Sequence, residues 1–181
     1  ISRLAPTEFL IVTGTAQAVR DADWIRRNLR PEARATLTDV TSAYGVLAVM
    51  GPKARDLLQS VSTTPLDNAR FPFGAMRPVE IGYATVLGCR RSYVGELGFE
   101  LYVPVEFAAH VHDALEAAGA EFGLVDAGYY ALDSLRMEKA YRYFGTDMTM
   151  LETPDEAGLG AFVRVDKGDF IGRDALLARR A

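Results

Sequence analysis

The chain has 181 residues, 49% of them apolar and 24% charged, with a formal net charge of −4. That is the composition of an ordinary globular protein able to bury a good core. The charge leaves no basic footprint for nucleic acid, and no apolar run approaches the length of a membrane span. A single cysteine, Cys89, excludes an internal disulfide and fits a reducing compartment. Beside Gly88 it reads as a packed thiol. The first residue is isoleucine rather than an initiator methionine, so the sequence reads as a piece of a longer protein.

In chain order, residues 8–13 are a continuous apolar run of β-formers and predict a buried strand. Residues 16–29 carry Val19, Ala22, Ile25 and Leu29 near helical spacing, with Trp24 close to that face; Thr15 could cap the helix and Pro31 stops it. Residues 36–40 predict a short strand and 44–51 a stronger, fully apolar one. Gly51-Pro52 opens a helix with Ala54, Leu57, Leu58 and Val61 as its stripe. The loop that follows closes on Phe71-Pro-Phe-Gly74. Two phenylalanines around a proline are either a satellite hydrophobic cluster or an aromatic wall for a planar ligand.

Residues 77–87 alternate Val79, Ile81 and Tyr83 against Glu80, Gly82 and Ala84. They predict one strand, turned at Gly88 into residues 90–94. Between Gly95 and Pro104 comes the most regular stretch of the chain. Phe99, Leu101 and Val103 fall on one face of a strand, and Glu100 and Tyr102 on the other. The ordinary reading is a half-buried antiparallel strand with a solvated side. The functional reading is a carboxylate and a phenol side by side on a rigid element, suited to a flat, donor-rich heterocycle.

Residues 106–118 predict an amphipathic helix with Phe107, Val111, Ala114, Leu115 and Ala118 inward. His110 and His112 lie on it two apart, so they are not a ligand pair. Residues 127–141 predict another helix, whose charge-dense Asp133-Ser-Leu-Arg-Met-Glu138 reads as a solvated face or as i,i+3 and i,i+4 pairs. Residues 162–165 predict a last short strand and 174–180 a terminal helix. The order of elements is α+β, its middle resembling the ferredoxin-like split β-α-β arrangement. No P-loop, GxGxxG or CxxC is present, which argues against a nucleotide domain or a zinc site.

Eight blocks, in order, resemble the folate-dependent aminomethyltransferase family, that of the glycine-cleavage T-protein. They are Thr38-Asp-Val-Thr-Ser-Ala-Tyr44, Met50-Gly-Pro-Lys-Ala-Arg55, Phe71-Pro-Phe-Gly74, Tyr93-Val-Gly-Glu-Leu-Gly-Phe-Glu-Leu-Tyr102, Ala131-Leu-Asp-Ser-Leu-Arg-Met-Glu-Lys139, Tyr143-Phe-Gly-Thr-Asp147, Thr153-Pro-Asp-Glu-Ala-Gly-Leu-Gly160 and Asp169-Phe-Ile-Gly-Arg-Asp-Ala-Leu176. The closer resemblance is to the folate-binding part of dimethylglycine and sarcosine dehydrogenases. It implies that residues 1–181 are a partial aminomethyltransferase folate-binding domain, without its N-terminal segment and C-terminal barrel.

The activity the resemblance implies is transfer of a one-carbon unit, aminomethyl or methylene, from a methylamine-type donor to tetrahydrofolate. It implies Glu100 as the carboxylate for the pterin's 2-amino and N3 hydrogens, with Tyr102, Phe73 and Tyr93 as neighbouring folate contacts. It implies no catalytic residue in this chain, since the family's catalytic aspartate falls just before Ile1. A flavin dehydrogenase domain with FAD, fused or associated, is the expected partner, in a bacterial cytoplasm or mitochondrial matrix; neither metal, nucleic acid nor membrane is expected. Leu132 stands where the T-protein has an arginine that contacts folate. The alternative is a non-catalytic folate-binding module of the same fold, of the kind that serves iron–sulfur proteins. Those relatives carry Lys-Gly-Cys-Tyr-x-Gly-Gln, and Asp166-Lys-Gly-Asp-Phe-Ile-Gly-Arg173 lacks its cysteine and last glutamine.

Overall fold

The structure is a computed structural model describing residues 1–181. Its Cα trace divides into two compact units, Ile1–Ser92 with Glu96–Asp126, and Tyr93–Gly95 with Ala127–Ala181.

The first unit is built on a four-stranded antiparallel sheet. Strands β1 (Ser2–Ala5) and β2 (Glu8–Leu10) form a separate hairpin, followed by helix α1 (Ala18–Asn28). The main sheet holds β3 (Tyr44–Met50), β4 (Met76–Ile81), β5 (Ala84–Cys89) and β6 (Gly98–Pro104) in the order β3-β6-β5-β4. Helices α2 (Ala54–Val61) and α3 (Ala108–Gly119) pack on one another and on β6. Their apolar stripes supply Leu57, Leu58, Val111 and Leu115 to the core. The sheet supplies Val79, Ile81, Val86, Phe99, Leu101 and Val103. Each such side chain contributes about 1.5–3 kcal/mol by leaving water.

The predicted α+β class stands. The ferredoxin-like order is not reproduced. Strands β3 and β5 are each antiparallel to β6 and so parallel to each other, but α2 leads from β3 into β4 and not into β5, so they are not joined as a split β-α-β requires. In addition, β4 pairs on the far edge of β5, and α3 leads into α4 (Tyr129–Glu138) rather than a strand.

The hairpin in the middle differs from its expected form. The turn lies at Gly82-Tyr83, between the paired residues Ile81 and Ala84. Gly82 has φ of 58°, the left-handed value that a two-residue loop with glycine first demands. Gly88 is instead inside β5, opposite Arg77 and Leu101. A Cβ there would stand 2.7 Å from Val79 Cγ2 and 3.6 Å from the Phe71 ring, so glycine is needed for close packing.

Other expectations fail for want of partners. Residues 36–40 form no strand, and Arg91–Val94 is not one either. Residues 162–165 give only the end of a 3-10 turn, Gly160–Phe162. The run 8–13 is a strand only over Glu8–Leu10, and Phe9, Ile11 and Val12 are exposed because only β1 pairs with it.

The second unit contains α4 and α5 (Arg173–Arg180) joined by irregular chain. Arg136 is its organising group. Although its stretch of sequence is dense in charge, Arg136 is buried. Its guanidinium bonds Asp133 one turn back at 2.8 Å, the Tyr141 carbonyl at 3.0 Å, and the Asp147 carboxylate. Asp147 also accepts the Tyr143 amide at 2.8 Å, which pulls its carboxyl below the usual range. Thus the Tyr143-Phe-Gly-Thr-Asp147 block is a loop folded back onto α4. No helix in the structure is long and apolar enough to cross a membrane.

Candidate functional site

Strand β6 carries Glu100 and Tyr102 on the face turned away from α2 and α3. Register fixes their neighbours. One row across the sheet runs Ala48, Glu100, Cys89, Met76; the next runs Val46, Tyr102, Leu87, Pro78. Glu100 is therefore the only ionised group in two otherwise apolar or neutral rows. Alternating placement on a strand puts paired residues on the same side, which is how the carboxylate comes to stand among them.

Tyr102 Oη donates to Glu100 Oε2 at 2.7 Å. The bond holds the carboxylate's rotamer and leaves Oε1 without a partner in the chain. Tyr102 is buried and Glu100 half-buried. Burial, and then the bond to Glu100, push the Tyr102 phenol well above its ordinary value, because a phenolate would lose water and face a carboxylate. The phenol is a fixed donor at any physiological pH. Cys89, beside Glu100 on β5, is raised by burial and stays a thiol. The Arg91 guanidinium acts on both Cys89 and Tyr102, lowering each somewhat, so a cation borders this corner. Neither Arg91 nor Cys89 was assigned to a site from the sequence. The signal was the register, hidden while the turn was placed at Gly88.

The two loop phenylalanines divide the alternatives between them. Phe71 is 1% exposed and meets Phe99 edge to face at 5.7 Å, so it belongs to the core. Phe73 is 78% exposed. Its loop is tied to the end of β5, with Gly74 N–H donating to the Arg90 carbonyl at 2.9 Å and Arg90 N–H to that of Ala75 at 2.9 Å. Arg90 directly follows Cys89, the cross-strand neighbour of Glu100.

Tyr93 belongs to the second unit. Its hydroxyl donates to the Arg142 carbonyl at 2.8 Å, and its ring stacks on Tyr141 with centroids 6.0 Å apart. Burial raises its phenol too. Its polar group is engaged within the unit. The structure thus brings Glu100 and Tyr102 into contact, sets Phe73 on a loop of the same unit, and gives Tyr93 a packing role in the other. Leu132 lines a cavity of about 200 Å³ with Ala127, Gly128 and Tyr129. A larger cavity of about 280 Å³ lies between the start of α2 and Phe122, Leu124 and Val125; Glu100 does not line it. The carboxylate stands on a sheet face, which suits a flat ligand laid along the strands.

Comparison with known proteins gives this geometry a family. Residues 1–167 match the family described as "GCVT N-terminal domain". The pyruvate dehydrogenase phosphatase regulatory subunit of mouse mitochondria is 38% identical over 99% of this chain. The 4-methylaminobutanoate oxidase (formaldehyde-forming) of Paenarthrobacter nicotinovorans is 43% identical over 98%. Mouse mitochondrial dimethylglycine dehydrogenase is 39% identical over 97%. Aminomethyltransferases and a sarcosine dehydrogenase are similar as well. The chain belongs to the GCVT N-terminal domain family, whose relatives here include aminomethyltransferases and dehydrogenases. It spans about a fifth of the length of the first three relatives, 20–22% of each.

Proposed function

We propose that this chain forms part of the tetrahydrofolate site of a protein that moves a one-carbon unit from a methylamine-type donor to the folate. The observation that carries the reading is the Glu100 carboxylate, alone among apolar rows and fixed by Tyr102. A pterin presents an amine and a ring N–H on one edge, and an ionised carboxylate is the acceptor that matches two adjacent donors. The residues fit that group. Oε1 is free to accept, Val46, Ala48 and Leu87 offer apolar surface beside it, and Phe73 offers an exposed ring.

In this reading the folate, when bound, supplies the nucleophilic amine that captures the one-carbon unit. This chain's own part is to hold and orient the pterin. Glu100 accepts from its edge, Tyr102 keeps the carboxylate in place as a neutral donor, and Phe73 covers a ring. Tyr93 serves by holding its own segment rather than by touching folate. The donor-oxidising step belongs to a flavin unit with FAD, as the dehydrogenase relatives encourage. A bacterial cytoplasm or a mitochondrial matrix supplies the reduced folate.

Equilibrium dialysis tests the pterin assignment. The chain is expected to retain tetrahydrofolate and to ignore p-aminobenzoylglutamate, which lacks the pterin. Equal retention of both compounds would place recognition elsewhere.

A further inference from the structure

On α3, His112 and Glu116 are one turn apart and share a side of the helix. The chain then turns back through residues 120–125 and brings Asp126 beside them. The ligand atoms of His112, Glu116 and Asp126 all lie within 4.8 Å of one another. Atoms bound to one ion at about 2.0–2.2 Å stand about 3–4 Å apart, so small side-chain rotations close the set.

Two further observations point the same way. From Ser92 to Leu135 the sequence holds no lysine or arginine, so neither α3 nor the 120–126 segment itself places a lysine or arginine beside Glu116 and Asp126. Besides, the His112 Nδ1 is 3.6 Å from the Asp113 carboxylate. The Asp113 carboxylate thus adds a further negative charge beside the imidazole.

We propose that His112, Glu116 and Asp126 bind a divalent transition-metal ion, of the zinc class, with water completing its coordination. An imidazole with two carboxylates selects such an ion over magnesium or calcium, which favour oxygen ligands alone. The ion would clamp the 120–126 segment to α3 just where the chain leaves the first unit. The site is separate from the Glu100 face and independent of the folate reading.

The test is a calorimetric titration of the chain with Zn²⁺, and separately with Mg²⁺. One equivalent of Zn²⁺ is expected to bind, with H112A and E116Q each weakening it by about tenfold or more. H110A is the control. His110 stacks on Tyr83 at 3.7 Å, away from the cluster, and its loss should leave zinc affinity unchanged. Circular dichroism of each variant confirms that it folds. No saturable zinc binding into the millimolar range, affinity unaffected by H112A, or equal loss in H110A would each overturn the proposal.

Discussion

The two loop phenylalanines have opposite duties, and substitution should separate them. Phe71 fills the core against Phe99, whereas Phe73, two residues on, is exposed. Phe71→Ala is expected to destabilise the chain by about 3–5 kcal/mol in urea unfolding. Phe73→Ala should leave that midpoint unchanged and weaken folate binding by about 0.5–1.5 kcal/mol. Tyr102 carries a pH signature. Its folded phenol is pushed above the ordinary value of about 10. The stability it contributes is present in full below that value. It is lost as pH rises further, where the unfolded chain gives up the proton and the folded one keeps it. Unfolding midpoints at about pH 8 and about pH 11 should therefore fall more for wild type than for Tyr102→Phe. An equal fall in both proteins would show that Tyr102 is not the group responsible. At this scale the sequence was informative where a residue's surroundings repeat. Phe99, Leu101 and Val103 alternate strictly, and all three are buried. For Arg136 the i,i+3 pair with Asp133 was legible in the helical spacing, but its burial and its second partner, Asp147, were not, since Asp147 is eleven residues away and beyond any helical pattern.

At the scale of elements, β3, α2, β6, α3 and α4 were legible because their apolar periods agree with their neighbours. The β4–β5 hairpin was not. Gly82 and Gly88 both interrupt an alternating run, and either one could make a turn. Only pairing decides, since Gly82 takes a left-handed φ and Gly88 lies against Val79 and Phe71. Gly88→Val is therefore expected to overpack the sheet and cost about 1–3 kcal/mol in urea unfolding. No loss of stability would return Gly88 to the role of a turn residue. The missing strands at 36–40 and 162–165 teach the same lesson. A β-forming run becomes a strand only when another edge is there to bond it.

For the molecule as a whole, Glu100 and Tyr102 could be singled out from the strand period, yet their use could not. What gives them meaning is the company of Ala48, Val46, Cys89 and Leu87, which comes from two other strands, β3 lying more than fifty residues back along the chain. The chain belongs to the GCVT N-terminal domain family, among relatives that include aminomethyltransferases and dehydrogenases. The central claim is that Glu100 reads a pterin edge, and a calorimetric titration with a stable reduced folate tests it most directly. Glu100→Gln keeps the shape and the bond from Tyr102 but presents an amide donor to the pterin's donors. The wild-type chain is expected to bind the folate. The variant should bind it about tenfold to a hundredfold more weakly, the loss of about 1.5–3 kcal/mol set by a charge-assisted bond. Equal affinity in the two proteins would contradict the assignment and remove the pterin from the β6 face.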